Sequence, residues 1–104
     1  MKILTPGHRY ELGNFEKKDA PGQILQFIEK VRLHELSPEL RTVNDGTTNE
    51  EVLAVLIDRM QSLNATLASR ETALAITKCQ EALMWLEKRT ADRLKRSVEG
   101  TART

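Results

Sequence analysis

Residues 70–100, RETALAITKCQEALMWLEKRTADRLKRSVEG, decide how this chain folds. At about 100° per residue, Ile76, Cys79, Leu83, Leu86 and Leu94 fall on one face of a helix, edged by the small Ala75 and Ala82. That stripe is an ordinary core contact. Turned away from it lie Leu74, Lys78, Trp85, Arg89 and Arg96, with Arg93 on the border, so a second face mixes a large aromatic with cations. One partner helix covers only the first stripe. The second face must be buried against another copy of the chain, or stand open to something flat and anionic.

Upstream, the apolar positions Val52, Leu53, Leu56, Met60, Leu63 and Leu67 repeat with helical spacing from Glu50 to about Ala68. Thr48-Asn49-Glu50-Glu51 spells a capping box at the start of this helix, just after the turn signal Asn44-Asp45-Gly46. Ala68-Ser69-Arg70 is a tight break, and Ser69 is the natural N-cap of the second helix. So short a connection makes the two helices antiparallel neighbours.

Further upstream the period changes from helical to alternating. Tyr10 and Leu12 alternate with Arg9 and Glu11, predicting a half-buried strand over His8 to Glu16, with a bulge at Gly13 that returns Phe15 to the covered side. Lys17 to Gly22 has turn chemistry, ending in a Pro21-Gly22 pair suited to a type II turn. Gln23 to Val31, rich in β-branched and aromatic residues, is the second strand of a hairpin. Residues 1–7 read as a lead-in closed by Pro6-Gly7, and His34 to Thr42 as a loop or short extra strand broken by Pro38. A two-stranded ribbon is not stable alone in water, so it must lie on other structure. The fold expected is therefore α+β: an N-terminal antiparallel β-ribbon and loop over 1–43, then a two-helix antiparallel hairpin over 44–104, assembled as a homo-oligomer. The last residues, Thr101 to Thr104, are expected to fray.

Composition narrows the functions available. A chain of 104 residues has room for one domain, whose small core is marginal unless association helps it. Hydrophobic residues make up 39% and charged residues 30%, a balance that argues against disorder. The net charge of +1 excludes a polycation built to coat nucleic acid. From Lys88 to Arg103, however, six Lys or Arg face only Asp92 and Glu99, so any anion binding is local and geometric. The single cysteine, Cys79, excludes an intrachain disulfide and reads as a small buried hydrophobe. MKILTPGHRY lacks the apolar core of a signal peptide, and no run approaches the roughly 20 apolar residues of a membrane span, so the expected location is the cytoplasm.

Catalytic chemistry is not indicated. His8 and His34 have no cysteine or carboxylate at metal-ligand spacing, so neither a zinc site nor another cofactor is expected. The phosphate-cradling glycine loops and the nucleophile elbow are absent, and no nucleophile has a base and orienting group beside it. Asp92 beside Arg89, Arg93 and Arg96 reads as helix-face ion pairing. Arg89 and Arg93, one turn apart, could also present two guanidinium forks that clamp phosphate or stack on bases. Residue pattern alone leaves both readings open.

A wider match in sequence weights the second. The run RETALAITK over 70–78, then EALMWL over 81–86, KRTADR over 88–93 and VEGT over 98–101, resembles the helical-hairpin domain of phage anti-defence proteins. That family includes the anti-Thoeris and anti-CBASS cyclic-nucleotide sponges. VNDGTTNEE over 43–51, LIDRMQSLN over 56–64 and the N-terminal β-ribbon resemble the anti-Thoeris branch. The resemblance implies a symmetric oligomer, a hexamer, that sequesters cyclic nucleotide signals without cleaving them. In the anti-Thoeris branch the signal is a cyclic ADP-ribose variant such as glycocyclic ADP-ribose; cyclic di- and trinucleotides bind at further sites in related members. Carried onto this chain, it implies that Arg89 stacks on or clamps the adenine and that Arg93 reaches the phosphates. Thr72 stands where relatives often have a base-reading amide, and Ser62 where many have an aromatic that sandwiches the base. Arg59, one turn from Ser62, is a weaker candidate, and Lys78 and Trp85 fit subunit packing better than ligand contact. The alternatives are a non-enzymatic structural protein that oligomerises through its hairpin, and a nucleic-acid binder using the basic end of the second helix.

Overall fold

The computed structural model describes residues 1–96, which fall in two compact units, Met1–Thr48 and Asn49–Thr104. The expected helix end at Gly100 and the tail beyond it lie outside the described residues. The architecture is α+β: two small antiparallel sheets precede two helices.

In the first unit, β1 (Lys2–Thr5), β2 (Arg9–Leu12) and β3 (Gln23–Gln26) form one sheet in that order. The expected hairpin is present, with Tyr10 opposite Leu25 and Leu12 opposite Gln23. The supposed lead-in supplies a third strand, whose Ile3 faces Tyr10. It is joined to β2 by a type II turn: His8 N–H donates to the Thr5 carbonyl at 3.0 Å, Pro6 presets φ, and Gly7 takes φ 79°. Pro21-Gly22, where that turn was expected, contains no positive φ. Gly22 is needed there because any Cβ would collide with the Leu12 carbonyl.

The stretch expected as one strand from Gln23 to Val31 changes partners midway. Phe27 N–H donates to the His8 carbonyl, and Ile28 N–H donates to the Thr47 carbonyl. The chain then continues as β4 (Glu29–Arg32), which pairs with β5 (Leu40–Asn44) in a separate two-stranded sheet. The segment around Pro38 therefore holds both a loop and a strand. Phe27 stays in contact with the first sheet through an edge-on packing against Tyr10, centroids 6.0 Å apart. The bulge expected at Gly13 is also displaced: β2 ends at Leu12, and the irregularities fall between Ile3 and Thr5 and between Glu29 and Lys30. Phe15, expected on the covered side, is 91% exposed.

The second unit is a helical hairpin of α1 (Asn49–Thr66) and α2 (Arg70–Lys95). α1 starts directly after Thr48, and Ser69 caps α2, its Oγ accepting the Thr72 N–H at 3.1 Å. The covered line along α2 runs through Thr72, Ile76, Cys79, Leu83, Leu86, Thr90 and Arg93, alternating steps of four and three. On α1 it runs through Glu50, Leu53, Ile57, Met60 and Asn64 in the same alternation. That is a 3.5-residue repeat, the spacing of a coiled-coil seam. The burial departs from the expected stripes in two places. Leu94 leaves the covered face and is 62% exposed, while Arg93 takes its place at 4%. On α1, Leu56 and Leu63 are exposed, as is Leu67 just past its end, and Ile57, outside the expected stripe, is the buried one.

Candidate functional site

The five candidate residues separate into two groups. Arg59 and Ser62 are exposed on α1, with Ser62 one turn from the helix end at Thr66. Thr72 is half-buried in the first turn of α2, where its Oγ1 accepts a hydrogen bond from Ser69 Oγ at 2.8 Å. The capping pair thus fixes the hydroxyl that was expected to read a base. Ser62 and Thr72 belong to the turn end of the hairpin, and Arg59 lies near the middle of α1.

Arg89 and Arg93 belong to the other end. Arg89 lies seventeen positions along unbroken helix from Thr72, a distance of about 25 Å at 1.5 Å per residue. A small ringed nucleotide cannot bridge that span. α2 has 26 residues against 18 in α1, so it projects about 12 Å past its neighbour and carries its basic end with it.

At this basic end, Arg89, Asp92, Arg93 and Arg96 line an open hollow of about 250 Å³. A second hollow of about 330 Å³, lined by Asp92, Lys95 and Arg96, adjoins it through the two shared residues. Ligand pockets generally span about 300–1,000 Å³ and enclose most of the ligand. Among the described residues, one chain therefore supplies an open trough of the size of a phosphate and a ribose.

The charges at the trough are arranged unevenly. Asp92, expected to pair with the arginines, accepts an ion pair from Lys88 at 3.1 Å. Both side chains are more than half exposed, so the pair contributes only tenths of a kcal/mol. Among the described residues, Arg89 makes no hydrogen bond or ion pair within the chain, and its exposed fork is available to an anion. Arg93 is engaged within the chain and its Nε is sealed from solvent. Sequence spacing placed these two guanidinium groups side by side; the structure brings both to one trough but in different environments. Lys95 and Arg96, beside them, add positive charge at the helix C-terminus, where the macrodipole favours it. Lys95 escaped the sequence reading, and its place in the basic run was the available signal.

Other chemistries find little support in the geometry. No cluster of three or more His, Cys, Asp or Glu among the described residues could hold a metal. No described helix is long and apolar enough to cross a membrane. Cys79 is half-buried and unbridged. On the outer face of α2, Leu74 and Trp85 remain about half exposed in the single chain.

Comparison with known proteins bears on the same helices. The family described as "Acb2/Tad1, hairpin domain" matches residues 28–91. The span takes in Arg59, Ser62, Thr72 and Arg89 and stops two residues short of Arg93. The phage protein "Thoeris anti-defense 1" of Bacillus phage SBSphiJ7 is 44% identical over 85 residues, covering 70% of this chain. The chain spans 60% of the length of that relative.

Proposed function

The chain belongs to the Acb2/Tad1 hairpin family, and on that premise we propose that it is a phage anti-defence protein that captures cyclic nucleotide immune signals and holds them uncleaved. Its ligands are cyclic ADP-ribose variants, glycocyclic ADP-ribose among them, with cyclic di- and trinucleotides as further candidates. Its setting is the cytoplasm of the infected host, where removal of the signal suppresses Thoeris immunity and, for cyclic oligonucleotides, CBASS immunity. The name of the phage relative supports the Thoeris assignment.

The observation that carries this reading is the 25 Å separation of the two candidate groups on one α2 helix. Thr72 and Ser62 can join Arg89 and Arg93 around one small ligand only if they come from a different copy. The site is then a seam between chains, each lending its open basic trough. The exposed Leu74, Trp85 and Leu94 supply apolar surface for such a seam, and a hexamer repeats it by symmetry. Arg89 contacts the base or the first phosphate, and Arg93 completes the phosphate clamp. In this reading the captured signal is later released as the same molecule.

Titration of the full chain with a panel of cyclic ADP-ribose isomers and cyclic oligonucleotides tests the proposal. It predicts saturable micromolar or tighter binding of at least one member; heat flow indistinguishable from dilution for every member would end it. A purely structural role for the hairpin predicts instead that Arg89→Ala leaves both assembly and anti-defence activity intact. Binding of any polynucleotide with steep salt dependence would favour a nucleic-acid role.

A further inference from the structure

The stretch that follows β5 carries a dipeptide whose chemistry the fold leaves unguarded. Asp45 and Gly46 are both exposed, and Gly46 N–H donates to Asp45 Oδ1 at 2.8 Å. The side-chain carboxyl is therefore folded over the nitrogen of its own following peptide bond, with Cγ one bond from the oxygen in contact. Ring closure between that nitrogen and Cγ needs only a rotation of the side chain. The other three aspartates of the chain are protected. Ala20 N–H, after Asp19, donates to the Lys17 carbonyl at 3.1 Å. Arg59 and Arg93, after Asp58 and Asp92, lie inside α1 and α2, where each N–H is committed to the carbonyl four residues back. Each of these three is also followed by a residue whose side chain crowds the approach to its nitrogen. At position 46 only glycine fits, because a Cβ there would collide with the Gln26 carbonyl. Packing thus dictates the one residue that offers no steric protection.

We infer that Asp45 is a site of spontaneous covalent modification, at which the folded chain converts aspartate to isoaspartate. In the first step Gly46 N bonds to Asp45 Cγ and the Cγ–OH bond of the carboxylic acid breaks. The hydroxyl and the amide proton leave together as water, and the product is a cyclic imide. Water then opens the ring: its oxygen adds to one of the two ring carbonyls, the bond from that carbon to nitrogen breaks, and the nitrogen takes a proton. Opening at Cγ restores aspartate. Opening at the main-chain carbonyl leaves the chain running through Cγ, with the former main-chain carbonyl as a free carboxylate. One water is lost and one regained with no change of oxidation state, so the chain supplies every group except water.

The change falls where the chain has no slack. On one side, Asn44 Nδ2 donates to Glu29 Oε1 at 3.1 Å. On the other, Thr47 N–H donates to the Gln26 carbonyl and the Thr47 carbonyl accepts Ile28 N–H, both at 2.9 Å. An extra methylene between these anchors displaces Gly46, which already lies against the Gln26 backbone, and the bridge at Thr47 is lost. The modification loosens the first unit from within.

This chemistry is separate from nucleotide capture and stands whether or not a nucleotide binds. The test ages the full chain in warm buffer and follows its digestion by an endoprotease that cuts before aspartate but not before isoaspartate. Cutting before Asp45 is expected to be lost progressively at constant intact mass, with a minor fraction lighter by one water, while cutting before Asp19, Asp58 and Asp92 stays complete. Asp45→Glu keeps the carboxylate but requires a larger ring. Labelled methyl transfer by an isoaspartyl methyltransferase is therefore expected for the aged wild type and not for the aged variant. Hydrogen exchange at the Ile28 and Thr47 amides is expected to be faster in the aged wild type than in the fresh chain. Undiminished cutting before Asp45, equal loss at all four aspartates, or equal methyl acceptance by the two aged chains would each overturn the inference. Unchanged exchange at Ile28 and Thr47 would overturn the loosening.

Discussion

Arg89 and Arg93 stand one turn apart on α2, yet Arg89 is exposed and Arg93 is 4% exposed. The two arginines should therefore respond differently to removal. Arg89→Ala is predicted to weaken ligand binding about 10- to 100-fold, the loss of a charge-assisted hydrogen bond of about 1.5–3 kcal/mol, with the melting temperature unchanged. Arg93→Ala is predicted to lower both, because it also strips an enclosed polar contact. Calorimetric titration and thermal melting of the two variants check this; equal melting curves would contradict it.

Ser62 occupies an exposed site on α1 where the family resemblance places a base-sandwiching aromatic. Ser62→Phe should then tighten nucleotide binding by about 1–3 kcal/mol, the usual contribution of one base stacked on an aromatic ring. The same change in a chain that binds no nucleotide alters only solubility. Paired titrations of wild type and variant read the effect directly.

Among the described residues, only Ile57 and Ile76 of the apolar side chains are buried, each at 9% exposure. So thin a core implies that folding and assembly are linked, and that the melting temperature rises with protein concentration. Calorimetry over a hundredfold range of concentration should show this shift. Leu94→Asp, at an exposed apolar position, should reduce assembly while leaving the helical content of α2 intact. A concentration-independent melt of a stable monomer would contradict both expectations.

The cap of α2 offers a local check. Ser69 Oγ accepts the Thr72 N–H and donates to the Thr72 hydroxyl. Ser69→Ala should cost about 1 kcal/mol of stability and, by freeing the Thr72 hydroxyl, should also reduce ligand affinity. Thermal melting and titration of this variant separate the two effects. Loss of stability alone would remove Thr72 from the site.

The helices and their connection were legible in the sequence because local signals agree there: a capping box before Asn49, Ser69 before Arg70, and apolar spacing along both segments. The β2–β3 pairing was legible from alternation. The rest depended on information that no short window carries. Gln23 to Val31 has one continuous strand composition, and only the distant Thr47 carbonyl takes Ile28 out of the first sheet. No local signal in RTADRLK over 89–95 separates the buried Arg93 from the exposed Leu94. The arginine cluster could be found from its spacing, but not the separation of environments within it, since burial depends on tertiary packing.

The central claim is that a cyclic nucleotide is held intact, and the most direct measurement is to recover it. The protein is saturated with the preferred ligand, freed of excess by filtration and heat-denatured, and the released material is weighed by mass spectrometry. The account predicts return of the bound molecule, chemically unchanged and in stoichiometric amount, from wild type and far less from Arg89→Ala. Recovery of hydrolysed product, or of no nucleotide from any member of the panel, would contradict it.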